Sequence, residues 1–289
     1  MSDTIPAKPK TTVRFARELT TLVAIFPLIW IVGWSPATVF SVVMAIVAAL
    51  ALYEFLVLGR KKGYDLPIPL CIAIMLFIVA SFVRPEVSVE VGVFATLLLI
   101  PSSYVFSKLS LDDALPSSAV AVLATLYVGM LAGSMVRLRH DFRPEGPRLV
   151  FFLLIVVWIA DAGAYYAGRA FGKHKLSPRI SPKKTIEGLI GGIITSVVAA
   201  VIISMTFLPE MKLLHAVVIA IILSFAGVVG DLAESMWKRS ADVKDSGTLI
   251  PGHGGFLDRF DSIFFTAPIL YLYWAFTHEG VKTLNIIKG

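Results

Sequence analysis

The chain has 289 residues, of which 57% are apolar and 16% charged, with a mean hydropathy of +0.81 and a formal net charge of +6. That balance excludes a disordered chain and a water-soluble domain, and it describes a polytopic membrane protein. The basic pI of about 9.4 does not carry a nucleic-acid reading, because the Lys and Arg residues sit in short loops between apolar runs, where they set topology and meet anionic lipid.

Residues 1–18 are polar and basic (Lys8, Lys10, Arg14, Arg17), and an apolar stretch with Pro27 follows to Trp34. Because many further runs follow, this reads as a retained first anchor rather than a cleaved signal. The other runs cover residues 38–58, 68–83, 89–107, 117–136, 149–168, 188–207, 213–230 and 262–277. Each is near the length a bilayer requires, so the fold expected is all-α and polytopic, with about nine transmembrane helices, or eight if the first does not cross. With the N-terminus inside, Arg60-Lys61-Lys62, Lys173 to Lys184 and Lys238 to Arg259 all fall on the cytoplasmic side. Arg137, Arg139, Arg143 and Arg148 fall on the other side, against that trend.

Residues 1–115 offer no motif and read as a transmembrane scaffold of about four helices that also makes oligomer contacts. Tyr53 and Glu54, inside the second run, read as an interfacial or helix-packing pair. Cys71, the one cysteine, lies in an apolar run, so there is no disulfide framework and no thiolate metal site. Residues 116–289 hold the polar chemistry and read as the catalytic domain, with about five helices.

Within 158–188, Asp161 lies in an apolar helix with Tyr165, Gly168 and Arg169 at i+4, i+7 and i+8 on its face. An intramembrane carboxylate is a functional hypothesis by default, set against a hydrogen bond to a neighbour such as Tyr165. Gly168 to Lys173 approaches a P-loop but has one residue too few between its glycines and no following Ser or Thr. Ser181-Pro182-Lys183-Lys184-Thr185 reads as a helix start with proline, two lysines and a hydroxyl in the first turn, a place for an anionic phosphate. Gly188, Gly191 and Gly192 read as sites of close helix approach. His140, His174, His215 and His278 have no metal-ligand spacing.

The densest island of charge spans residues 231–261. Asp231, Glu234, Ser235 and Lys238 fall at i, i+3, i+4 and i+7, one face of a helix that continues past Gly230. Asp258, Asp261 and Ser262 repeat the spacing before the last run. Between them lies a turn-rich loop, Ser246 to Gly255, whose glycines let backbone N–H groups approach a ligand, with His253 able to donate to a phosphate. Two converging carboxylate pairs beside basic side chains suit a metal-bound polyphosphate.

The string SMWKRSADVKDSGTLIPGHGGFLDRFD, together with DxxAYxxGRxxGK and SPKKTxEG, resembles the signature of the phosphatidate cytidylyltransferases (CDP-diacylglycerol synthases). Trp237 stands where that family usually has Met or Phe, and Ala162 where it commonly has Thr. The likeness covers about Tyr127 to Ala275. It implies CTP plus phosphatidate giving CDP-diacylglycerol plus pyrophosphate, with Mg²⁺ as cofactor, as one ion or two, a monovalent cation as an option, and a homodimer in the membrane. On that reading Asp231, Asp258 and Asp261 are the first metal ligands, with Glu234 and Asp161 behind them. Lys183, Lys184, Lys238, Arg239, Lys244 and Arg259 neutralise phosphates, the Gly252 to Gly255 backbone forms a cradle through Gly254 and Gly255, Ser181, Thr185, Tyr165 and Arg169 complete the substrate contacts, and His253 joins the three aspartates, Lys238 and Arg239 as catalytic. A Ser/His/Asp arrangement is absent from the sequence, and none is required, since a phosphate monoester is already anionic near neutrality.

Two alternatives remain open: a CTP-dependent lipid kinase that transfers the γ-phosphate, and an ion or solute transporter. The DGxxAR pattern of the CDP-alcohol phosphotransferases is absent. No organellar targeting segment is visible, so the expected location is a bacterial inner membrane with the site at the cytoplasmic face, where soluble CTP and a laterally entering lipid meet.

Overall fold

A computed structural model describes residues 25–84, 86–247 and 254–279. Residues 25–33 are helical, and eight further helices follow. They are α1 (Ala37–Lys61), α2 (Ile68–Ser81), α3 (Val89–Val105), α4 (Leu111–His140), α5 (Gly146–Phe171), α6 (Ile186–Thr206), α7 (Leu213–Ser240) and α8 (Leu257–Trp274), the last continued by a π-helical turn, Ala275–Glu279. Between α5 and α6 a short antiparallel hairpin pairs β1 (Lys175–Ser177) with β2 (Ser181–Thr185). Among the described residues, the regular structure is all-helical apart from this hairpin.

By length and composition α1, α4, α5, α6 and α7 can each cross a membrane; α2 and α3 are apolar but shorter, at 14 and 17 residues. The protein is therefore integral to a membrane. The helices form two groups, α1 to α4 and α5 to α8, joined where α8 packs on α4 and α1. An aromatic cluster strengthens that junction: the Phe55 ring of α1 lies tilted 4.6 Å from Trp237 of α7, and Tyr127 of α4 meets Trp237 edge-on at 5.0 Å. Trp237 thus serves packing between the groups.

Helices α5 and α6 pack most extensively. Gly192 lies against the Ala160 carbonyl and Gly191 against Ala167, so small residues let the two backbones approach, as their sequence spacing predicts. A Cβ on Gly192 would stand 2.8 Å from the Ala160 oxygen, a backbone atom that cannot move aside. Gly192→Leu is therefore expected to destabilise the folded protein by about 1–3 kcal/mol, read as a lower thermal midpoint in detergent.

Two sequence expectations change. Ser181–Thr185 is not the first turn of a helix but strand β2; α6 starts at Ile186, capped by Thr185, whose Oγ1 accepts from Gly188 N at 3.1 Å. The β-branched Thr185 and the pairing with β1 hold Pro182, Lys183 and Lys184 extended, and α6 begins only where a cap is available. Second, the arginines between α4 and α5 have structural work. Arg139 donates to Val32 O at 2.9 Å and Ser35 O at 3.0 Å, and Arg148 makes a bidentate pair with Glu210 at 2.9 and 3.0 Å. Arg137 lies near Asp141 and over the Phe82 ring. The remaining basic clusters, at the ends of α1 and α7 and around the hairpin, gather at the opposite end of the bundle.

Candidate active site

Helix α7 continues ten residues past Gly230 to Ser240, so Asp231, Glu234, Ser235 and Lys238 share a face of its last turns. The chain then reverses at Asp242, a left-handed residue with φ 56°, and Val243 N returns to Lys238 O at 3.0 Å. Helix α8 enters from the facing side with Asp258 in its first turn and Asp261 one turn on. Ser262 Oγ donates to Gly227 O at 3.2 Å and fixes α8 against α7 at this level.

Three carboxylates meet there. Asp231, Glu234 and Asp261 each present an oxygen within 4.8 Å of the others; Glu234 and Asp261 are buried, Asp231 half-buried. Their surroundings orient them: Ser235 Oγ donates to Asp231 Oδ1 at 3.2 Å, and Ser262 N to Asp261 Oδ1 at 2.6 Å. Glu234 Oε1 is buried with no hydrogen-bond partner among the described residues. A desolvated carboxylate oxygen in that state is costly unless a cation or a proton meets it.

Lysines close the ring on two sides. Lys184 of β2 reaches Asp231 Oδ2 at 2.6 Å, and this contact joins the two motif blocks. Lys238, itself buried, bridges Glu234 Oε2 at 2.9 Å and Asp258 Oδ1 at 2.5 Å. With all four ionised, the carboxylates exceed the two ammonium groups that face them by two negative charges. A divalent cation with oxygen ligands fits both the charge and the spacing, since opposite ligands around Mg²⁺ stand about 4.2 Å apart.

Beside the cluster opens a cavity of about 590 Å³ between α5, the hairpin, α6 and α7. Asp161, Tyr165, Arg169, Lys183, Lys184 and Asp231 face it, as the helical spacing of the first three predicts. Leu176, Leu189 and Val228 add an apolar side. The cavity thus has one charged wall and one apolar wall.

The predicted residues therefore separate. Asp161, Tyr165, Arg169, Lys183, Lys184 and Thr185 line the cavity; Asp231 belongs to both cavity and cluster; Glu234 and Asp261 belong to the cluster. Asp258 stands behind Lys238, and its Oδ2 accepts from Ser246 N at 3.0 Å and Gly255 N at 2.9 Å. The Gly255 N–H expected to cradle a phosphate is turned inward to this carboxylate. Gly254 takes φ +82°, a conformation suited to glycine, beside the same Asp258 oxygen. Arg239, Lys244 and Arg259 are exposed, Arg239 donating to Val243 O at 2.9 Å, and Ser181 is half-buried on β2. His253 lies outside the described residues.

One residue of the site escaped the sequence reading. Glu54 of α1 is no interfacial residue: it is buried, and its Oε2 accepts from Ser246 Oγ and from Leu257 N, both at 2.9 Å. The signal was available, because a carboxylate inside an apolar run carries the same penalty that singled out Asp161.

Comparison with known proteins gives the family of the chain. The model of the cytidylyltransferase family matches residues 15–277. A phosphatidate cytidylyltransferase of Bacillus subtilis is 35% identical over 253 residues, covering 86% of this chain and 91% of the relative. Those of Staphylococcus epidermidis and Staphylococcus aureus are 38% and 35% identical, each covering 88% of this chain and 96% of the relative. With its carboxylate cluster, its lysines and its cavity all inside the matched region, the chain belongs to the cytidylyltransferase family.

Proposed function

We propose that this protein is a phosphatidate cytidylyltransferase that makes CDP-diacylglycerol and pyrophosphate from CTP and phosphatidate, an early step of phospholipid synthesis. The observation that carries this reading is the Lys184–Asp231 contact, which sets a lysine-lined, half-apolar cavity against a carboxylate cluster. An oxygen of the lipid phosphate attacks the α-phosphorus of CTP. The new P–O bond forms as the bond to the bridging oxygen of the β-phosphate breaks, and pyrophosphate leaves with that electron pair. The attacking oxygen is already anionic, so no side chain removes a proton from it.

The barrier is repulsion between two anions, plus charge growing on the leaving group. Asp231, Glu234 and Asp261 would hold Mg²⁺, with Asp161 as a further ligand across the cavity; the ion supplies charge neutralisation to the phosphates. Lys183, Lys184 and Arg169 would bind phosphate oxygens in the cavity, with Tyr165 at its rim. Asp258 serves a different purpose from the one its spacing suggested. It fixes Lys238, which orients Glu234.

We further infer that the site faces the cytoplasm, because the basic clusters at the ends of α1 and α7 share its end of the bundle. Its location is then the inner membrane of a bacterium. A homodimer belongs to the same proposal, tested by the mass of the detergent-solubilised particle.

The deciding experiment supplies purified protein with phosphatidate, Mg²⁺ and CTP labelled at either the α- or the γ-phosphate. The expected result is α-label in the lipid phase, lost when EDTA removes the metal. Label from γ would make the protein a lipid kinase, and no transfer by folded protein would favour a transporter.

A further inference from the structure

Glu54 lies 192 residues before Ser246 in the chain, in the half of the protein that carries no motif. Its carboxylate is withdrawn from solvent, and its donors come from the loop that follows α7 and from the first turn of α8. Ser246 precedes segment 248–253 and Leu257 follows it, so a single oxygen, Oε2, accepts from both flanks. Leu257 N belongs to the first turn of α8, where amide groups have no partner within the helix, and Glu54 satisfies one of them. The fit around the carboxylate is close: a Cβ on Gly247 or on Gly255 would collide with it. Glycine at both positions lets backbone from each flank lie against the same side chain.

The contact then runs on into the site. Ser246 Oγ stands 2.9 Å from Glu54 Oε2 and 3.0 Å from Asp258 Oδ2, with one proton shared between them. Asp258 holds Lys238, and Lys238 holds Glu234 of the carboxylate cluster. Each link is short and most of it is buried. A general helix-packing role would account for burial but not for acceptance from both flanks of one loop.

We propose that Glu54 is a positioning residue for the reaction: it pins both ends of the loop between α7 and α8, and through Ser246 and Asp258 it sets Lys238 against the carboxylate cluster. This rests on the cytidylyl-transfer reading for its kinetic consequence, while the pinning itself stands on geometry alone. It touches no reacting atom and acts through the groups it holds.

The test uses the full chain in detergent with two variants. Glu54→Leu keeps comparable volume and removes both acceptors, whereas the amide oxygen of Glu54→Gln can still accept from Ser246 Oγ and Leu257 N. Amide hydrogen exchange is read over residues 244–260, and kcat with α-labelled CTP is read beside the thermal midpoint. Exchange in that segment should rise in Glu54→Leu alone, with the other helices unchanged. The kcat of Glu54→Leu should fall by about thirtyfold or more per folded molecule, and Glu54→Gln should return to within about threefold of the native protein. Unchanged exchange in Glu54→Leu overturns the pinning, whatever the activity does. A Gln variant as inactive as Leu, or losses that only track the folded fraction, overturns the positioning role. A native sample that transfers no α-label sinks the assigned reaction instead, and the exchange measurement still decides the pinning.

Discussion

Asp261→Asn is expected to lower turnover by about 10²–10³-fold while the protein stays folded, because it removes one charge from the group of three that would hold the cation. The amide oxygen of Asn can still accept from Ser262 N, the bond that now orients Asp261, so the first turns of α8 keep their geometry. Stability should move the other way. Three carboxylates within 4.8 Å repel one another, and deleting one charge relieves that repulsion when no metal is present. The thermal midpoint of Asp261→Asn without Mg²⁺ should therefore equal or exceed that of the native protein. Raising Mg²⁺ should recover part of the lost activity, since a weaker site is filled by mass action. Steady-state rates across a Mg²⁺ titration, with melting curves in EDTA, check both halves. Near-native turnover at ordinary Mg²⁺ would take Asp261 out of the cation site.

Lys238→Met is expected to do the opposite to stability and as much damage to activity. Lys238 is the shared partner of Glu234 and Asp258, and all three side chains are nearly withdrawn from solvent, with relative exposures of 10%, 1% and 11%. Removing one member of a buried ionic group leaves its partners uncompensated, at about 3–5 kcal/mol. For a chain of this size that corresponds to a fall of roughly 5–8 °C in the thermal midpoint. Turnover should fall as well, because Glu234 loses the contact that fixes Oε2 and with it the carboxylate's orientation in the cluster. A second substitution separates the two effects: adding Asp258→Asn to Lys238→Met removes one stranded charge and should restore part of the stability without restoring turnover. A Lys238→Met protein as stable as the native one would mean that water reaches and screens this group.

Much of the site could be read in the chain because its residues lie on helices. Asp231, Glu234 and Lys238 fall on one face by the 3.6-residue period, and so do Asp161, Tyr165 and Arg169; spacing alone predicts both groupings. The all-helical membrane architecture was equally legible, since runs of that length and apolarity have few other structures open to them in a bilayer. Periodicity reports which residues share a face, but it does not report what that face meets. Asp258 and Asp261 have the spacing of a pair, yet α8 turns Asp261 into the cluster and leaves Asp258 behind Lys238.

What only the tertiary structure decided are the contacts between segments far apart in sequence. Lys184 sits on a strand rather than a helix and so reaches Asp231 from across the cavity. Glu54 crosses 192 positions to Ser246, a partnership with no local period or propensity to announce it. The physical reason is the same in both cases. A sequence carries the cost of each buried charge residue by residue, and only the packed fold determines which distant group meets that charge.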